Sequence, residues 1–130
     1  MLRNMDLIRE LLLRLEGLPS TPSSVYILTP AMEEIAIAGY SADQIHYHLS
    51  LIIEAGLIES GSTPVVQCGF MFMRLSWAGH DFLDSIRDPE VWARTKKGAE
   101  AAGGFTFDLL KDLAKGFIRK QVEDYTGIKL

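Results

Sequence analysis

The sequence predicts an α+β fold that is mostly helical, with a small β-sheet. Three observations carry that expectation. Apolar residues recur at three- and four-residue spacing along most of the chain, the period of one helix face. Two short runs, Val25–Leu28 and Phe70–Leu75, are instead dense in β-branched and aromatic side chains. Capping residues and glycines punctuate the stretches between them.

Taken in order, residues 4–16 spell an amphipathic helix with Leu7, Ile8, Leu11, Leu12 and Leu15 on one stripe. Asn4 supplies a cap, Asp6 suits the positive end, and Glu10 is one turn from Arg14. Gly17 and Pro19 stop it, and residues 18–24 are a loop before the strand at Val25–Leu28. Thr29-Pro30 opens a second helix, which Gly39 ends after about two turns. Ser41 and Gln44 form a capping box for a third helix, closed by Gly56. Leu57–Glu59 begins a strand, Gly61–Gly69 is a loop, and Phe70–Leu75 returns. The return strand lacks polar alternation, so both of its faces are expected to be covered.

Ser76 caps a fourth helix, whose inner stripe is Gly79, Phe82, Leu83 and Ile86, with Gly79 permitting a close approach. Trp77 and Trp92 flank it as core anchors. Asp88-Pro89-Glu90 starts another helix, Gly103-Gly104 breaks it, and Thr106–Tyr125 is the last. The order helix, strand, helix, helix, strand, loop, strand is that of a winged helix, with residues 61–69 as the wing. The expectation is one domain over residues 1–130: a winged-helix-like core at about 4–76 and a C-terminal helical extension at about 77–125. The final helix is too apolar to stand alone in water. Phe107, Leu110, Phe117 and Ile118 are its candidate oligomer surface, toward this core or a second copy.

The chain has 130 residues, 48% of them hydrophobic and 23% charged, with a net charge of −4. That is enough for one packed domain and unlike a disordered chain. Residues 1–88 hold 5 Lys/Arg against 11 Asp/Glu, and residues 89–130 hold 8 against 6. Between Leu15 and Met73 there is no lysine or arginine. A DNA reader typically neutralises roughly 6–10 phosphates with such side chains. The charge therefore favours a protein partner over nucleic acid. Charges at Arg3, Asp6, Arg9 and Glu10 break any signal-peptide core, and no apolar run could span a membrane. With Cys68 the single cysteine, no intrachain disulfide forms; the expectation is a cytoplasmic protein that does not engage membranes.

The stretches HYHLSLIIEAGLIES (His46–Ser60) and RLSWAGHDFLDSIRDPEVW (Arg74–Trp92) carry a resemblance. They resemble an uncharacterised bacterial and phage family, domain of unknown function 2513. Ser76 stands where that pattern more often has threonine, which keeps the cap oxygen. The resemblance implies a winged-helix-like fold and a bacterial or prophage setting. It implies no activity and supplies no catalytic residue.

On the third helix, Ala42, Ile45, Leu49, Ile52 and Ile53 point inward. Asp43, Gln44, Tyr47, Ser50, Leu51 and Glu54 point outward as the candidate partner surface. Gln44 could read adenine and Tyr47 and Ser50 could touch a backbone, but two carboxylates would face the phosphates. Lys111, Lys115 and Arg119 form a basic ridge at four-residue spacing, the feature through which DNA binding could be rescued. His46 and His48 diverge around the helix, and His80 with Asp84 lacks further ligands, so no metal is expected. Nothing brings Cys68, His80 and Asp81 together, so neither catalytic residues nor a cofactor is expected. The sequence reads as a non-enzymatic module for protein interaction or self-association. A DNA-binding regulator is the alternative and a small enzyme the last choice.

Overall fold

A computed structural model describes residues 1–62, 65–66, 69–104 and 106–130. The fold is α+β and mostly helical. The chain divides into two compact units, residues 1–80 and 81–130.

In the first unit, α1 (Met5–Glu16) is capped by Asn4, whose side chain accepts the Leu7 N–H at 3.2 Å. It buries Met5, Leu7, Ile8, Leu11, Leu12 and Leu15, which is the expected stripe. Glu10, expected to pair with Arg14, meets Arg9 at 3.4 Å. β1 (Tyr26–Leu28) follows. The helix expected after Thr29 is only a 3-10 turn, Glu33–Ile35. Ile35 is the one side chain of that turn that is buried, and so short a segment with one anchor cannot offset the cost of starting a helix. α2 (Ala42–Glu54) carries the capping box in full, Ser41 accepting from the Gln44 N–H and Gln44 from the Ser41 N–H. It buries Ile45, His48, Leu49 and Ile52; Ala42, expected inward, is exposed, and Ile53 is half-buried.

The strands are β2 (Ile58–Glu59), β3 (Val65–Val66), β4 (Gly69–Phe72) and β5 (Arg74–Leu75). They form one antiparallel sheet in the order β1-β4-β3 and a second pair, β2-β5. Tyr26 lies opposite Phe72, Leu28 opposite Phe70, and Ile58 opposite Leu75. The loop expected over 61–69 thus contains strand at 65–66 and 69, while residues 63, 64, 67 and Cys68 lie outside the described residues. Leu28, Phe70 and Phe72 are buried on one face. The other face is not covered as expected: Ile27 is 46% exposed opposite a half-buried Met71. A side chain at Gly69 would come within 2.1 Å of the Leu28 carbonyl oxygen, so glycine is what admits β1 at this distance.

α3 (Trp77–Ile86) crosses from the first unit into the second. The second unit holds the rest of it with α4 (Pro89–Ala101) and α5 (Phe107–Thr126). Asp88 caps α4, accepting from the N–H groups of Glu90 (2.8 Å) and Val91 (3.0 Å), with Pro89 in the first turn. Thr106 caps α5 through the Leu109 N–H. α4 and α5 pack as a helical hairpin in which Gly98 lets Leu113 approach closely. The Phe107 ring lies 4.5 Å from that of Phe82, and Leu110 and Ala114 are fully buried.

Candidate functional site

α2 presents the candidate partner surface. Asp43 and Glu54 are exposed near its two ends, and Gln44, Tyr47, Ser50 and Leu51 are half-buried between them. Two of these polar groups are already committed. The Gln44 side-chain oxygen Oε1 accepts the Ser41 N–H at 2.8 Å, and the Ser50 hydroxyl donates to the Tyr47 backbone carbonyl. Neither is poised to read a base edge. What the face offers outward is an aromatic ring, an aliphatic side chain and two carboxylates. Changing Ser41 to alanine should remove half of the capping box and cost about 1 kcal/mol. Thermal unfolding checks this.

His48, which the sequence raises only as a metal ligand beside His46, is 1% exposed and both of its ring nitrogens are bonded. Nδ1 donates to the Gln44 carbonyl at 2.7 Å, and Nε2 accepts the Asn4 backbone N–H at 2.9 Å. The second bond ties the start of α1 to the middle of α2. His46, two positions earlier, is exposed with its ring 4.8 Å from Phe70. His80 is exposed, and Asp84 pairs with Arg87 at 2.8 Å. Among the described residues no three His, Cys, Asp or Glu side chains are grouped to hold a metal ion.

Much of the motif at Arg74–Trp92 serves packing. The Ser76 hydroxyl donates to the Gly56 carbonyl and accepts the Gly79 N–H at 3.0 Å, while the Ser76 N–H bonds the Leu57 carbonyl. A side chain at Gly79 would lie 1.9 Å from that same Leu57 oxygen. The expected close approach at Gly79 is therefore between α3 and backbone. Trp92 is buried as expected, but Trp77 is 84% exposed and is no core anchor. Residues two apart on a helix point about 200° apart, so pressing Gly79 against Leu57 turns Trp77 outward.

On α5, Lys115 and Arg119 of the basic ridge are exposed, while Lys111 is half-buried with its ammonium 5.0 Å from the Phe107 ring. Of the candidate oligomer residues, Leu110 is fully buried and Phe107 packs on Phe82, so both are spent within the second unit. Phe117 and Ile118 are half-buried, and Val122 and Tyr125 beyond them are exposed. No helix among the described residues is long and apolar enough to cross a membrane.

No solved structure matches the chain. An uncharacterized protein of Haemophilus influenzae (strain Rd) is 31% identical over 124 residues, covering 94% of this chain and 99% of its own. The model of the hypothetical-protein family DUF2513 matches residues 2–105, ending before α5. The chain belongs to this family of unknown function.

Proposed function

We propose that the chain is a non-enzymatic module for protein interaction or oligomerisation, with a winged-helix-like core and a helical extension, acting in the cytoplasm in a bacterial or prophage context. The order α1, β1, 3-10 turn, α2 and a strand pair, with β1 set beside β4, supports the winged-helix reading. The helix that such a fold would lay on DNA is α2. The observation that carries the proposal is its face: Asp43 and Glu54 exposed, Gln44 and Ser50 bonded within their own helix, and no lysine or arginine from Leu15 to Met73. A surface of that kind repels phosphate and suits a protein bearing a cationic rim around an apolar centre. Exposed Lys115 and Arg119 favour the second reading, a DNA-binding regulator, but they are interspersed with Asp112 and Glu123.

A photo-crosslinking residue at position 47, introduced in the native cell, tests this reading. The expected product is a protein adduct that falls severalfold when Asp43→Lys and Glu54→Lys are added. Crosslinks to nucleic acid, or none at all, contradict it.

A further inference from the structure

We propose that the chain pairs with a second copy of itself through the last turns of α5, antiparallel and centred between Gln121 and Val122. α5 has 20 residues against 13 in α4. At the rise of an α-helix it is about 10 Å longer than the helix it packs on. Burial follows this mismatch. Leu110 and Ala114 are fully buried, Val122 is 38% exposed, and Tyr125 is 93% exposed. At about 100° per residue, Ile118, Val122 and Tyr125 fall within about 60° of one another and make an apolar stripe. Arg119 and Glu123 lie together on one flank of that stripe.

The charge order identifies the occupant. Two antiparallel helices related by a two-fold axis present the same flank to each other. Arg119 of one copy then faces the partner's Glu123, and Glu123 faces the partner's Arg119. An axis midway between Gln121 and Val122 sets Ile118 level with the partner's Tyr125, and brings Val122 to its own equivalent and Arg119 to the partner's Glu123 within about 1.5 Å along the helix, so one register serves apolar and charged contacts. Inside a single helix, a cation four residues before an acid is the weaker orientation. Among the described residues no ion pair joins Arg119 to Glu123. The Glu123 carboxylate accepts the Leu130 N–H at 3.0 Å through Oε1, which leaves Oε2 for a cation. The pairing uses no residue of α2, so it stands or falls independently of the partner proposed there.

Sedimentation equilibrium of the full chain tests the pairing. The expected result is a reversible monomer–dimer equilibrium that Arg119→Glu weakens by about tenfold or more. Adding Glu123→Arg to that variant should restore the dimer, because exchanging both charges preserves their reciprocity; a foreign partner would not be restored. A chain that is monomeric at every concentration, a dimer indifferent to Arg119→Glu, or an exchange that fails to rescue overturns the proposal. Circular dichroism of each variant should show α5 unchanged, since these side chains lie outside the packed core.

Discussion

Replacing Gly79 with alanine should lower stability by about 3 kcal/mol and leave little folded protein at elevated temperature. The added methyl would lie 1.9 Å from the Leu57 carbonyl oxygen and 2.9 Å from its carbon. Backbone cannot rotate aside as a side chain can, so α3 must move. Moving it also strains the Ser76 hydroxyl bridge, which holds the Gly56 carbonyl and the Gly79 N–H together. The effect should exceed that of alanine at Gly116, where a Cβ would have nothing within 4 Å and which should gain from better helix propensity. Denaturant unfolding of the two variants measures the contrast. Equal stabilities would mean that α3 does not press on Leu57.

The second large effect is expected at His48. Phenylalanine keeps an aromatic ring, larger than imidazole, but removes both nitrogens, leaving the Asn4 N–H without its acceptor in a half-buried position. The cost should be about 2 kcal/mol. Hydrogen exchange should rise first at the start of α1, because the lost bond spans 44 positions and fastens that end to α2. Tyr40→Phe is the control. Its hydroxyl meets the Asn4 side chain at 3.4 Å, a weak contact, so the change should be about 0.5 kcal/mol or less.

What the sequence made legible is local chemistry. Asn4, Ser41 with Gln44, Asp88 and Thr106 each cap the helix that their spacing announces. A cap is decided by three or four neighbouring residues, so it can be read from them. The apolar stripe of α1 was equally plain. What could not be read depends on distant partners. His48 is a buried strut only because Asn4 arrives beside it. Trp77 is exposed because Gly79 determines which side of α3 faces Leu57. The segment after Thr29 has good helix-start residues, yet tertiary burial reaches only Ile35 within its 3-10 turn. On α5 the periodicity is continuous, but it does not announce where the partner helix runs out. Leu110 therefore read like Ile118, although one is buried and the other only half-buried.

Titration of the full chain with duplex DNA tests most directly whether the acidic face of α2 turns phosphate away. Fluorescence anisotropy at about 50 mM and about 200 mM salt brackets the range over which phosphate contacts lose most of their affinity. The expected result is no saturable binding at either salt. A tight complex at the lower salt that weakens steeply at the higher, and is lost on changing Tyr47 to alanine, would contradict the account.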